Sequence, residues 1–184
     1  MKRHNKLTFM FFFPLLLTLH FVVSAKSSDN DAPVHIEADQ MEMREKENIS
    51  IYTGDVRITR GTIKITGDKI VIQNKDGKLH SINIDGKPAT FYQLNDLNED
   101  IAAESRVMNY SADSGTLELK KNALLEKNKN RFSSEHIIYD TLNDIVKAGN
   151  TSPPDPQQKI RQGPQQLPRV KVTIHPEKKP GKNK

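Results

Sequence analysis

Val56-Arg57-Ile58-Thr59-Arg60-Gly61-Thr62-Ile63-Lys64-Ile65 is the stretch that decides the fold. Apolar and polar residues alternate on both sides of Arg60-Gly61. A period of two puts one row of side chains on each face of a strand. The stretch therefore reads as two strands joined by a tight turn, each with one buried and one wet face. The same alternation recurs along the chain. Val34, Ile36 and Ala38 alternate with His35, Glu37 and Asp39; Ile82 and Ile84 flank Asn83; Leu117 and Leu119 flank Glu118; Val170, Val172 and Ile174 flank Lys171 and Thr173. No window carries the spacing of an amphipathic helix beyond a short N-terminal turn, so the class is all-β. Gly54-Asp55, Arg60-Gly61, Gly67-Asp68, Asp76-Gly77, Asp85-Gly86 and Asp113-Ser114-Gly115 read as turns of a sandwich, barrel or roll. Pro88 is expected at the first residue or the edge of a strand.

The chain repeats itself. Sliding it by the separation of Glu37 and Glu104 lays residues 37–73 over 104–140 without a gap. Met41 meets Met108, Val56 meets Ala123, Ile58 meets Leu125, Ile65 meets Phe132, and Ile70-Val71-Ile72 meets Ile137-Ile138-Tyr139. The agreement is one of residue class. Ile49 and Ile51 fall one residue out of step with Leu117 and Leu119, so a bulge or turn is expected to differ there. Repeated hairpins that cannot bury their faces alone stack into one continuous core.

The ends have a different character. Lys2, Arg3 and Lys6 precede an apolar run from Leu7 to Val23 that Pro14 interrupts, and Val23 and Ala25 supply the small-residue spacing of a cleavage site. Residues 1–25 read as a signal peptide, with the mature chain starting at Lys26. Residues 26–176 read as one domain. Within it, residues 150–168 (NTSPPDPQQKIRQGPQQLP) form a Pro- and Gln-rich loop, and residues 177–184 are a disordered basic tail. The formal charge of +5 comes from the two ends; the body between Lys26 and Asn150 is acidic on balance. Nucleic acid, which needs a basic face on the folded part, is excluded as a partner. The absence of cysteine excludes thiolate metal sites and cysteine chemistry.

No catalytic constellation is present. His35, His80, His136 and His175 lack a second histidine at ligand spacing, so no metal is expected. There is no nucleophile elbow, P-loop or dinucleotide fingerprint, and no cofactor is implied. Asp96, Glu99, Asp100 and Glu104 cluster in a polar loop, the one place where paired carboxylates could act. What remains is the apolar face. An ordinary filled core and a groove for acyl chains would use the same side chains there, and a scaffold roll without any ligand fits the composition equally well.

Specific runs carry a resemblance. PVHIEADQ (33–40), YTGDV (52–56), GTIKI (61–65), GDKI (67–70) and above all DGKPATFYQ (85–93) resemble the OstA-like family of lipopolysaccharide-transport proteins. The resemblance covers Pro33 to Ile145 in order, and Arg169 to Pro176 is similar to the family's last strand. It implies an open β-jellyroll of two facing antiparallel sheets in the bacterial periplasm. It implies a non-enzymatic carrier that holds lipid A acyl chains in a groove and stacks head to tail into a bridge. That bridge would run from LptC at the inner membrane to the N-terminal domain of LptD at the outer. A membrane-anchored, LptC-like role is the variant against which Val23-Ser24-Ala25 argues. The residues expected to contact lipid are Val34, Ile36, Ile49, Ile58, Ile65, Phe91, Met108, Tyr110, Leu119 and Phe132, chosen for their alternation with polar neighbours. The terminal strands, with Val34, Ile36 and Ala38 at one end and Val170, Val172 and Ile174 at the other, are the expected interface between copies.

Overall fold

A computed structural model describes Asp29, residues 31–149 and residues 169–175. The expected signal peptide, the Pro- and Gln-rich segment and the basic tail lie outside the described residues. Among the described residues ten strands occur in chain order: β1 (His35–Glu37), β2 (Gln40–Arg44), β3 (Ile49–Arg60), β4 (Ile63–Lys75), β5 (Lys78–Leu94), β6 (Asp100–Ser111), β7 (Thr116–Lys127), β8 (Asn130–Asp140), β9 (Ile145–Ala148) and β10 (Lys171–Thr173). They form one antiparallel sheet in the order β1-β3-β4-β5-β6-β7-β8-β10, with β2 beside β3 and β9 beside β8. The opening stretch forms the end of β3 and the start of β4, with Ile58 opposite Ile65 and Arg60 opposite Ile63.

The strands are longer than the turn signals implied. Gly54-Asp55 lies inside β3, Gly67-Asp68 inside β4 and Asp85-Gly86 inside β5. At these points the ladders shift register instead of ending: between Thr53 and Val56, between Thr66 and Lys69, and between Asp85 and Ala89. The shifts continue between Glu104 and Val107 and between Lys120 and Ala123. A row of bulges thus crosses the whole sheet. Bulges bend a strand and re-aim its side chains. Glycine or left-handed backbone supplies the bend in several strands, with positive φ at Gly54, Asp55, Lys121 and Asn122. Pro88 also sits at this seam, within β5 and after a cis bond. It lies neither at a strand start nor at an edge, because a bulge relieves it of the ladder hydrogen bond it cannot make.

Along this seam the sheet folds over on itself. Lys127, opposite the first residue of β8, forms an ion pair with Asp144, just past the last residue of β8. At about 3.3 Å per residue a straight β8 would hold these positions roughly 35 Å apart. The two expected facing sheets are therefore two halves of one sheet, closed on a single core. Val56, Ile58, Ile65, Ile70, Ile84, Met108, Leu119, Leu125 and Ile137 belong to the same buried cluster.

The repeat holds at the level of hydrogen-bond register. Met41 faces Tyr52 as Met108 faces Leu119; Ile58 faces Ile65 as Leu125 faces Phe132; Ile36 faces Ile58 as Ala103 faces Leu125. Ile49 faces Gln73 as Thr116 faces Asp140, so the expected slip near Ile49 is absent. Ile49 and Ile51 stand where the second copy has Thr116 and Glu118. They are apolar residues on the outer face.

Candidate functional site

The inner face consists of transverse rows that cross the sheet from one terminal strand to the other. One row on the far side of the seam runs Ile36, Ile58, Ile65, Phe91, Ala103, Leu125, Phe132, Val172. A row on the near side runs Met41, Tyr52, Ile70, Ile84, Met108, Leu119, Ile137, Ala148. Beyond it runs another: Met43, Ser50, Ile72, Ile82, Tyr110, Leu117, Tyr139, Val146. At the seam the inner residues change parity in β4, β5, β6 and β8 and keep it in β3 and β7, and the shifts of register hold all of these rows on one side.

Of the residues expected to contact lipid, Ile36, Ile58, Ile65, Phe91, Met108, Tyr110, Leu119 and Phe132 share this face. They divide by burial. Ile58, Ile65, Met108 and Leu119 are buried, with Met108 and Leu119 at 0% exposure. Ile36, Phe91, Tyr110 and Phe132 are half-buried and pack against the core from outside. Burial pushes the Tyr110 phenol above its ordinary pKa. Val34 flanks β1 and is exposed. Ile49 is corrected: Ser50 and Tyr52 take the inner face of β3, so Ile49 and Ile51 point to the other side, in line with Val71, Asn83 and Asn109. Ile49 lies nine residues before Ile58, so alternation carried through β3 already places the two on opposite faces; its apolar character alone argued for the inner one. Tyr52, Ile63, Ile72 and Ile82 also pack on the core from the inner face and are not among the expected lipid contacts.

The terminal strands differ from the interior ones in exposure. In β2 every residue is exposed, Met41 and Met43 among them. At the other end Ile145, Val170, Val172 and Ile174 are exposed. Ala38 is exposed too. Their repeat counterparts show what is missing: Met41 corresponds to Met108, which a neighbouring strand covers completely.

Polar groups occupy the outer face and the mouth. On the outer face, Glu118 accepts hydrogen bonds from Lys120 Nζ at 2.8 Å and Asn109 Nδ2 at 3.3 Å, and His136 Nε2 lies 2.8 Å from its carboxylate. Burial pushes the carboxyl up, but these contacts together hold its pKa below the usual value. Of the acids expected in a polar loop, Asp100 and Glu104 instead lie in β6, while Glu99 belongs to the turn before it. Glu99 accepts from the side chains of Asn95 and Asn128, and Asp100 accepts from the Tyr92 hydroxyl at 2.7 Å. Lys127, by contrast, sits on the inner face two residues beyond Leu125, and Asp144 also accepts from the Tyr139 hydroxyl at 3.1 Å. Burial, with the nearby charges of Asp144, Glu99 and Asp140, raises the Tyr139 phenol well above its ordinary pKa. Among the described residues no cluster of His, Asp and Glu could hold a metal, and no helix is long and apolar enough to cross a membrane.

Residues 35–144 match the family described as LptA/(LptD N-terminal domain) LPS transport protein. The chain is 35% identical over 126 residues to the lipopolysaccharide export system protein LptA of Escherichia coli K12, covering 67% of this chain and 68% of that protein. It is 31% identical over 157 residues to the lipopolysaccharide export system protein LptH of Pseudomonas aeruginosa, covering 84% and 86%. The crystal structure of LptH, the LptA-homologous periplasmic component of the lipopolysaccharide transport device of that organism, superposes with a TM-score of 0.66 at 28% identity. It covers 81% of this chain and 99% of the solved one.

Proposed function

From the premise that this chain belongs to the LptA/LptD N-terminal-domain family of lipopolysaccharide transport proteins, we propose that it is a periplasmic carrier without enzymatic activity. It is exported by removal of residues 1–25. It holds lipopolysaccharide acyl chains against its inner face and passes them along a head-to-tail stack. LptC and the N-terminal domain of LptD are the partners at the two ends of that stack.

The observation that carries this reading is that the apolar rows run the full width of the sheet and end uncovered at both terminal strands. A filled, self-contained roll would cap its rows with polar residues or short twisted edges. Here the rows end on exposed Met41, Met43 and Val172, which suits a face that continues into a neighbour. Joining two edges of different sequence is a heterologous contact, so it propagates instead of closing.

The internal repeat supplies a register for the junction. β1 stands to β3 as the first half of β6 stands to β7, and β10 stands to β8 as the second half of β5 stands to β4. Within the chain, β5 and β6 pair with Phe91 opposite Ala103. By the same rule β10 of one copy takes β1 of the next with Val172 opposite Ile36, which places Lys171 opposite Glu37. Opposite charges across neighbouring strands favour a register.

A photo-crosslinker tests lipid contact. Placed at Phe91 or Phe132 it is expected to capture lipopolysaccharide; placed at Lys64 or Ile49, on the other face, it is not. Equal capture on both faces overturns the groove reading.

A further inference from the structure

We propose that Lys127, Asp144 and Tyr139 form a clasp across the mouth of the folded sheet, which holds the inner face shut and parts when an acyl chain enters; this rests on the carrier reading above.

The inner rows are closed in this structure. Met108, Leu119, Leu125 and Ile137 have no exposed surface, and Leu117 is 1% exposed. An acyl chain cannot lie against them until the two halves separate. The seam of bulges is continuous backbone, shared by both halves, so it acts as the hinge. Separation must therefore happen at the opposite side, where strand ends and turns of the two halves meet. Lys127 comes from the end of β7 in one half. Asp144 comes from the turn after β8 in the other. They join across a span that the strand itself covers only by bending.

The chemistry suits a closure that can be broken. The Lys127 side chain is 19% exposed and that of Asp144 is 51% exposed. A half-exposed ion pair is weak, because water competes for both partners. Tyr139 is 3% exposed, and its hydroxyl turns the buried wall toward the carboxylate. When the pair breaks, Asp144 keeps access to water, and Lys127 is left as a cation at the lip of the groove. The sequence repeat places Arg60, another inner-row cation at a strand end, at the position corresponding to Lys127.

The chain has no cysteine, so Lys127→Cys with Asp144→Cys introduces the only two thiols. The double variant is joined with a short bis-maleimide or, as a control, capped at both thiols with N-ethylmaleimide. Purified lipopolysaccharide is then offered to each. The joined form is expected to retain at least tenfold less than the capped form; equal retention overturns the clasp. A second measurement does not depend on lipid. In Asp144→Asn, hydrogen exchange at the amides of β7 and β8 is expected to be several-fold faster than in the parent, and unchanged exchange overturns the clasp. Parent protein that retains no lipopolysaccharide while exchange responds as expected refutes the carrier reading and leaves the clasp standing.

Discussion

Leu119 lies between Met108 and Ile137, and none of the three has exposed surface. Truncating it leaves a cavity that strands pinned on both sides cannot collapse into. Leu119→Ala is therefore expected to cost about 2–5 kcal/mol, measured as a lowered urea midpoint with unchanged slope. Ile51→Ala on the outer face is expected to cost about 1 kcal/mol or less, since Ile51 is half-buried and faces Val71 and Glu42 across its ladders. A larger loss at Ile51 than at Leu119 would mean that the faces are reversed. Glu118 makes a second prediction. Burial opposes its charge, yet contacts with Lys120, His136 and Asn109 prevail and keep its pKa lowered. A carboxylate with a depressed folded pKa contributes stability above its unfolded value, near 4.5, and loses it as pH falls through the folded value. Glu118→Gln is expected to be less stable than the parent by about 1 kcal/mol at pH 7. The gap should shrink progressively as the pH falls below 4.5, in paired urea titrations; a gap that widens in acid contradicts the assignment.

Each long strand is two short alternating segments joined by a bulge, and this sets what the sequence could disclose. The alternation of Val56 and Ile58, and of Leu117 and Leu119, placed those side chains correctly because each pair lies wholly on one side of the seam. Alternation from Ile58 through Gly54-Asp55 puts Ile49 on the outer face, and only its apolar side chain argued for the inner one. Glycine and Asp mark turns and bulges alike, since both demand left-handed or otherwise unusual backbone. Only the partner strand shows which of the two a given Gly-Asp is. The repeat was legible in residue class, although not the exactness of its register. Lys127 carried no signal of its own, because a charged residue at a strand end normally points to water. Gly67 tests the seam as an element. A methyl group there would lie 2.8 Å from Ile84 Cγ2 and 2.9 Å from the Asp85 carbonyl oxygen. Gly67→Ala is thus expected to cost about 1–3 kcal/mol by overpacking, and to raise exchange in β4 and β5 first. A neutral Gly67→Ala would show that the seam has slack.

Across its full width the repeat makes the sheet an interrupted series. β10 and β9 supply the strand that should precede another β1 and β2, and the next copy supplies those two strands. Deleting Arg169 to Lys184 removes β10 and uncovers Phe132, but leaves the rows from β3 to β8 intact. The truncated protein is expected to fold and to stay monomeric at concentrations where the full chain associates, by light scattering across a dilution series. Val172→Pro should act in the same way, because it stiffens an edge strand and removes a donor from it. The register sharpens the test. Lys171→Glu or Glu37→Lys alone places like charges opposite each other at every junction, and each is expected to weaken association several-fold. Both changes in one chain restore opposite charges at every junction, and association should recover toward the parent. Independent losses that merely add would show that these residues do not meet. Oligomers that persist after deletion of β10 would place the interface elsewhere, and the end-to-end stack would fail for this protein.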